Sequence, residues 1–518
     1  MRVLLLSMPD SFEHTPTVGM RFPNGALASL AGNVDSHHDV AIADLVLVQN
    51  DVAGTVQRLV AAHAPDVIGL SAMTFQRRTA LRLVRLLRSL RPTARIVAGG
   101  YDPSLDTDAW TGPDGVDMVV RGEGEVTFAE LLRALEHGAE DLGAIAGLVW
   151  RRADGTVVRN APRHVVHTLD ALRLPKRTAR VLRGYTFLGD QVDVVETSRG
   201  CTYDCSFCSI IEMRGRNFHV GSFDRVLADL ADARAHGARV VFLVDDNITL
   251  DVRRFGALCQ AIIDAKLNDL RYLVQGMTSA FAAHGETLAP LMQRAGFSYV
   301  FLGIENVLDD DLAFLKAGAK NAARERGRTV GNASVRAIEL LHRHGMYVVG
   351  GLIVGNPDDT PEAIEANLDF ARRYVDWPYI QHPTPYPGTP MTQDFTARQL
   401  VANQQLHEYD GTTAVVRTAS MSPDEVEFLR WRAERWMKVR HLPAALRMHP
   451  RFVLRHWPTL LAHTFRGSTW RSWVGLEDAR VTFARYKAQR AREREEVGSG
   501  LPDAGQGVRS LRRRLWGQ

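Results

Sequence analysis

The stretch Ser198-Arg199-Gly200-Cys201-Thr202-Tyr203-Asp204-Cys205-Ser206-Phe207-Cys208 holds three of the chain's four cysteines, spaced C-x3-C-x2-C. Thiolates this close together can converge on one metal centre from a single loop. A four-iron cluster that only carries electrons takes four cysteines. Three leave one iron open to an exogenous ligand, as catalytic zinc sites keep a position open and structural ones do not. The plainer alternative is a structural zinc, which needs a fourth ligand close by. Cys259 lies well downstream in a helical stretch, and no C-x2-C or H-x3-H partner flanks the loop.

An aromatic residue before the last cysteine, here Phe207, completes a pattern that resembles the signature of radical S-adenosylmethionine enzymes. The resemblance implies a [4Fe–4S] cluster on Cys201, Cys205 and Cys208, its open iron chelating the amino and carboxylate groups of S-adenosylmethionine. Reductive cleavage of the sulfonium then gives a 5′-deoxyadenosyl radical, chemistry that belongs to the cofactor. The partner implied is an external electron donor of flavodoxin or ferredoxin type.

The elements that must position this loop repeat a βα pattern over residues 191–390. Strands are expected at Val192–Val195, Arg239–Val244, Arg271–Gln275, Tyr299–Gly303, Tyr347–Val354 and Tyr379–Pro385. Helices are expected at Phe223–His236, Arg253–Lys266, Thr287–Arg294, Ser334–His344 and Pro361–Tyr374. Six such units predict a partial (β/α)6 barrel of the TIM type, with its active site at the carboxyl ends of the strands. The cysteine loop follows the first strand and so lies on that face.

Polar residues at the other strand ends become candidates. By the same resemblance, Asp245 meets the ammonium of S-adenosylmethionine, against the alternative of a helix cap for Asp245-Asp246-Asn247. Gln275 closes the third strand, and Glu305 resembles the residue near the methionyl or ribose moiety. Gly351, in a glycine-rich fifth strand, is expected beside the adenine. Tyr386, in Thr384-Pro385-Tyr386-Pro387-Gly388, is expected to reach substrate or to pack. A basic loop at Arg326-Gly327-Arg328 reads as solvated charge.

Residues 1–145 alternate apolar strand runs (Val3–Ser7, Val40–Leu45, Val67–Ser71, Ala94–Gly99, Met118–Arg121) with helical ones (Gly25–Asn33, Val52–His63, Thr79–Leu90, Val126–His137). Strands apolar throughout and separated by helices predict a doubly wound parallel sheet, an α/β fold whose ligands bind at the carboxyl strand ends. Those ends carry Ser71, Thr74, Gly99, Gly100, Tyr101, Gly122 and Glu123. Singly, each glycine reads as a tight turn. Together, ahead of the cysteine motif, they resemble the cobalamin-binding domain of B12-dependent radical SAM enzymes. Gly99 and Gly100 would then admit the corrin to the backbone, Ser71 and Thr74 would hydrogen-bond it, and Tyr101 would lie below the cobalt or line the wall. The D-x-H-x-x-G motif that supplies a cobalt ligand elsewhere is absent; His37, His38 and His63 lack the spacing.

Residues 146–190 read as a linker, with a hairpin turning at Asp154-Gly155. Residues 391–518 read as a helical basic region, with helices at Val401–Tyr409 and Pro423–Arg440, a flexible Gly498–Gly507 and a basic tail at Arg512–Arg514. From Arg430 onward there are 20 Lys and Arg against 7 Asp and Glu, a net of +13 where the whole chain is +4, so residues 1–429 carry −9. Six of the nine tryptophans share that basic region. Basic helices bearing tryptophan suit an anionic membrane surface. The alternative is a helical cap over the barrel's open face.

At 518 residues, with 45% hydrophobic and 24% charged residues, the composition is that of a globular protein of about three domains. Four cysteines, three of them clustered, make no disulfide framework and point to a reducing cytoplasm, with peripheral contact at the inner membrane face as an extension. The opening apolar run is too short for a signal peptide or a span.

The family resemblance implies methyl transfer to a poorly activated carbon of a small-molecule or lipid-like substrate, hopanoids and natural products included. The radical would abstract hydrogen and methylcobalamin would deliver methyl. The rival keeps these cofactors for a rearrangement, cyclisation or oxidation. A tRNA methylthiotransferase would carry three more cysteines, and only Cys259 remains, so no nucleic acid partner is expected. A non-enzymatic sensor would form no 5′-deoxyadenosine.

Overall fold

The computed structural model describes residues 1–11, 19–165, 168–325, 328–440 and 442–503, with the side chains of 324, 325, 328–330, 435, 436, 438–440 and 444 excepted. Arg326, Gly327 and the Arg512–Arg514 tail lie outside the described residues.

Five parallel strands, β1 (Arg2–Ser7), β2 (Asp39–Asp44), β3 (Val67–Ser71), β4 (Arg95–Gly99) and β5 (Met118–Val120), form the first sheet in the order β2-β1-β3-β4-β5. Their alternation divides the apolar side chains between two faces. Leu4, Leu6, Ile68 and Leu70 pack with helices α2 (Val52–His63) and α3 (Arg77–Leu90). Val3, Leu5, Ile42 and Val97 pack with α1 (Gly25–Asn33) and α4 (Glu125–Glu136). This is the doubly wound sheet expected.

The hairpin read as linker is instead the edge of that sheet. Strands β6 (Leu148–Arg151) and β7 (Val157–Arg159) extend it antiparallel beyond β5. Buried Trp150 and Leu148 join the core on the α1/α4 face, so the hairpin is apolar enough to be needed there.

The second sheet carries six parallel strands in sequence order: β8 (Asp190–Val195), β9 (Val240–Leu243), β10 (Arg271–Met277), β11 (Phe297–Glu305), β12 (Tyr347–Ile353) and β13 (Trp377–Gln381). It curls as a half-barrel and stays open. Its outer face packs against α5 (Phe223–Ala235), α6 (Val252–Asp264), α7 (Thr278–Ala295), α8 (Ser334–Arg343) and α9 (Pro361–Tyr374). Helix α7 begins nine residues earlier than its sequence suggests, because its internal Gly285 packs directly against Leu340 on α8. Beyond β8 the sheet is finished by Thr186–Phe187 and by Met20–Arg21, a pair contributed from the first domain's segment.

The segment before β8 straps the two domains together. Buried Arg177 donates to Asp193 (3.0 Å), Asp229 (2.6 Å) and Asp232 (2.7 Å), while Arg180 holds the other side of Asp193. Tyr185 donates to Asp44 of β2 at 2.7 Å.

Toward the carboxyl end, Val401–Tyr409 is not the helix expected. Val401 bridges Val416, the Asn403 side chain takes the Gln405 N–H, and only Leu406–Glu408 turns as a short 3-10 helix. Side-chain capture of the backbone by asparagine is what competes with helix here. Helices α10 (Pro423–Arg440), α11 (Leu442–Met448), α12 (Pro450–Thr464), α13 (Thr469–Trp473) and α14 (Ala479–Val497) follow. Helix α14 sets Arg490 and Arg494 against Asp410, in the loop beside the carboxyl end of β13. The α11–α12 junction closes the opposite, amino-terminal end, where buried His449 stacks on Tyr299 of β11 and Met448 packs beside Tyr347 of β12. Part of the stretch read as flexible is docked: Leu501 is buried in the first domain's core and Arg82 donates to its carbonyl at 2.7 Å.

Burial holds His449 down to about 4, with Arg271 adding to the effect and Asp190 opposing it. An unfolded imidazole takes its proton near 6.5. The contribution of the neutral ring to docking is therefore complete above pH 6.5 and declines as the pH falls toward 4. Amide exchange in α11 and α12 should accelerate over that window, ahead of the barrel strands.

Candidate active site

The cysteine loop is held at its root by the end of β9. Asp245 is wholly buried, and its carboxylate accepts from the Thr197 N–H (2.7 Å), the Thr197 hydroxyl (2.5 Å) and the Ser198 hydroxyl (2.5 Å). Burial raises its pKa. Its oxygens are spent on one N–H and two hydroxyls of the residues leading into the loop, so it braces the site rather than meeting a ligand's ammonium. The carboxylate that faces outward is its neighbour. Asp246 accepts from the Gly200 N–H at 2.7 Å and from Arg214 at 3.2 Å. The Asn247 amide lies 3.8 Å from the Cys201 sulfur.

Gly200 takes φ +87°, and a Cβ there would stand 2.3 Å from Asn217 Oδ1 and 2.4 Å from its carbonyl. Only glycine can make this entry to Cys201. The far side of the loop is pinned at Ser206, which donates to the carbonyls of Leu315 and Phe314 and accepts from the Met391 N–H at 2.9 Å. Phe207 and Tyr386 pack on the apolar cluster of Leu312, Leu315, Met391 and Phe395 beside it. Tyr386 thus contributes a wall, and its carbonyl accepts from Thr389 at the start of the Pro390–Ala397 helix.

Burial pushes the Cys205 thiol up to about 11 and Cys208 up to about 12. Thiols so placed surrender their protons to a strongly cationic centre, and coordination to a metal does so outright. Cys259 is buried in the barrel core and belongs to its packing.

One charged residue beside the loop carries no sequence signal. Lys320 pairs with Glu305 at 3.0 Å, and the nearby Cys205 and Cys208 help raise its pKa. Glu305 sits at φ +59°, at an irregularity in the β11–β12 pairing, a strained setting for a non-glycine residue. Gln275 donates to the Asp245 carbonyl at 2.6 Å. Gly351 lies between Gly303 and Tyr379, where a Cβ would come 2.9 Å from the Phe301 ring.

Between the two sheets lies a cavity of about 450 Å³. Ser71, Gly99, Gly100, Tyr101, Gly122 and Glu123 line one side; Val194, Phe242, Arg199, Arg214 and Asp246 line the other. Thr74 does not reach it, being buried at the start of the turn that opens α3. Gly100 (φ +99°) lies against the Ala72 carbonyl, 2.9 Å from where a Cβ would be. Tyr101 lines the cavity near Asp246 and Arg214, and Arg199, two residues before Cys201, lines it as well. Asp102, next in sequence, is fully buried, gripped by Arg77 at 2.6 Å and by the Trp110 N–H at 2.9 Å, which fixes the turn carrying Tyr101.

Arg199 ties the two walls together. It contacts Glu125 at 2.6 Å, Glu196 at 2.7 Å and Glu123 at 3.4 Å, all with its own side chain 6% exposed. The pair holds the Glu125 carboxyl down at about 2. Glu123 has His219 at 3.3 Å as well, yet both of its buried oxygens lack a hydrogen-bond donor, as Arg214 Nε lacks an acceptor. A cavity floored by glycine backbone and rimmed by unsatisfied polar atoms fits a large flat ligand whose edge carries amides, as a corrin's does.

The comparisons with known proteins agree with this geometry. Residues 15–132 match the family model described as B12 binding domain, and residues 195–371 match that of the radical SAM superfamily. This chain is a radical SAM enzyme with a B12-binding domain. The cofactors that these two domains imply are a [4Fe–4S] cluster, S-adenosylmethionine and cobalamin. The enzyme is 28% identical to an uncharacterized methyltransferase of Pyrococcus horikoshii, over 83% of this chain and 90% of that one. It is 29% identical to an anaerobic magnesium-protoporphyrin IX monomethyl ester cyclase of Synechocystis sp., over 67% of each chain. With a hopanoid C-3 methylase of Methylococcus capsulatus it shares 27% identity, over 68% of this chain and 64% of that one. Among solved structures, the cobalamin-dependent S-adenosylmethionine radical enzyme OxsB has the same fold, with a TM-score of 0.64 at 14% identity over 99% of this chain and 83% of that one.

Within the radical SAM enzyme, Gly100→Ala should cost about 1–3 kcal/mol through its disallowed backbone and the clash with Ala72. It should also lower cobalamin affinity, because the shifted turn carries Tyr101. A thermal melt and a cobalamin titration followed by absorbance check the two effects separately.

Proposed function

We propose that this enzyme transfers a methyl group to an unactivated carbon of a small-molecule or lipid-like substrate. The observation that carries the reading is the cavity between the carboxyl edge of the first sheet and the ends of β8 and β9, lined by Tyr101 on one side and by Arg199 and Asp246, which flank and hold the root of the cysteine loop, on the other. Such a layout suits two cofactors acting on one substrate. When bound, the cluster with S-adenosylmethionine supplies an oxidant able to remove hydrogen from carbon, and cobalamin supplies a methyl group.

In this reading Cys201, Cys205 and Cys208 hold the cluster. Asp246, Gln275, Glu305 and Gly351 are the candidates nearest to hand for S-adenosylmethionine, with Asp245 bracing the loop behind them. Ser71, Gly99, Gly100, Gly122 and Glu123 cradle the corrin, and the oxygens of Glu123, ion-paired but without a hydrogen-bond donor in the protein, accept from its amides. Tyr101 lies below the cobalt or lines the wall of the cavity. Phe207 and Tyr386 form an apolar wall. A one-electron donor of flavodoxin or ferredoxin type serves the cluster, and the carboxyl-terminal helices contact a membrane surface.

The test is anaerobic turnover with S-adenosylmethionine carrying a deuterated methyl group, the product read by mass spectrometry. Gain of one labelled methyl supports methyl transfer. Formation of 5′-deoxyadenosine with an unlabelled product of altered hydrogen content favours the second reading, a cyclisation or oxidation, for which the likeness to the cyclase of Synechocystis sp. is the specific support.

A further inference from the structure

Eleven large apolar side chains are exposed among the described residues, and nine of them lie between Leu442 and Val481. Helix α12 carries the most regular set. Leu454, Trp457 and Leu461, at 68%, 57% and 41% exposure, recur at helical spacing and form one outward stripe. The inward side of the same helix is already satisfied: Phe452 and Val453 are buried, and Phe452 covers Gly189 just before β8. The outer stripe therefore does nothing for the fold. On α11, Leu442 and Leu446 are exposed as well.

The charge along this stretch of chain has one sign. No Asp or Glu occurs between Glu434 and Glu477, a stretch that holds eight Lys and Arg. Arg447, Arg451 and Arg455 are exposed, and no acidic residue described in the structure pairs with them. A second copy docked face to face would set these arginines against their own equivalents, which disfavours a self-associating surface. No helix among the described residues is long and apolar enough to cross a membrane. An apolar stripe bearing tryptophan, flanked by unpaired arginines on a helix too short to span, is the pattern of a helix lying in a lipid interface. Its arginines would reach lipid phosphates while leucine and tryptophan enter the acyl boundary.

We infer that the Leu454/Trp457/Leu461 face of α12, with Leu442 and Leu446 of α11, docks on an anionic bilayer surface. The inference deepens the membrane contact in the reading above and rests on it, but it is independent of the reaction catalysed. The test is flotation of the full chain with vesicles of phosphatidylcholine alone or phosphatidylcholine mixed with phosphatidylglycerol. Wild-type protein should float with the mixed vesicles and far less with the neutral ones. The L454Q/W457Q/L461Q variant should lose at least about a hundredfold in partitioning, since three large apolar groups no longer enter the bilayer. The R447Q/R451Q/R455Q variant should lose the preference for anionic lipid, as should wild type at high salt. Unchanged cobalamin binding by both variants serves as the check that they fold.

Absence of flotation by the wild type would overturn the membrane contact altogether. Flotation of the apolar variant equal to wild type would overturn the assignment to this face and leave membrane contact standing. A wild-type dimer that becomes monomeric in the apolar variant, without flotation, would make the face a protein interface and overturn the inference.

Discussion

Alanine at Cys201, Cys205 or Cys208 should abolish turnover, each alone, while cobalamin binding survives. The reasoning starts from the loop's supports. Asp245, Asp246, Ser206 and Met391 all hold its backbone and not its sulfurs, so loss of one thiol leaves the loop anchored. What is lost is a donor to the metal centre, and no other cysteine can replace it, because Cys259 is sealed in the barrel core. Without the cofactor the reaction falls back to its uncatalysed rate, a loss of at least about 10⁶-fold. Iron and sulfide content of the anaerobically reconstituted variants, set beside their cobalamin titrations, checks the result. A variant that kept its cluster and its turnover would remove that cysteine from the ligand set.

Arg199→Met should have the largest effect on stability. The guanidinium is buried among Glu123, Glu125 and Glu196, and its removal leaves buried Glu125 without a cation, while Glu123 keeps His219 and Glu196 is partly exposed. Breaking a buried pair in this one-sided way costs about 3–5 kcal/mol. Glu125 would no longer be held ionised near 2 and would take up a proton closer to the ordinary carboxylate range. Because Arg199, the residue before Gly200, reaches Glu125 on α4 of the first domain, the cavity walls should part as well on its loss, so cobalamin affinity and cluster retention should fall together. Denaturant unfolding of the apo-protein gives the energetic part, and cobalamin titration gives the coupling. Glu125→Gln, which keeps the shape and removes one charge, should be milder on both.

The cluster site was legible in the sequence because its information is local. Three thiols within eight residues, after an apolar strand and before a helical run, define both a donor set and a position at the carboxyl end of that strand. The two α/β sheets were legible for a related reason: strand and helix periods are written residue by residue, as in Val3–Ser7 and Phe223–His236.

Roles that depend on direction were not legible. Asp245, Asp246 and Asn247 are consecutive polar residues, and only the turn after β9 decides that the first points into the loop's root and the second toward the cavity. Thr74 and Ser71 are equally polar, and the turn opening α3 buries the former. Arg199, Arg214 and Lys320 are ordinary basic residues until their carboxylate partners, up to 76 positions away in sequence for Arg199, are folded against them. The hairpin at 148–159 reads as a linker because nothing local says which sheet edge it completes.

By itself, then, the sequence determined the thiol triad, the two parallel sheets and the basic, tryptophan-rich end. Tertiary structure alone decided that the two domains enclose one cavity, that Arg199 locks its walls, and that the terminal helices close the far end of the barrel. The physical division is between patterns with a period of two or 3.6 residues, which a chain carries along its length, and burial and charge pairing, which exist only once distant segments meet.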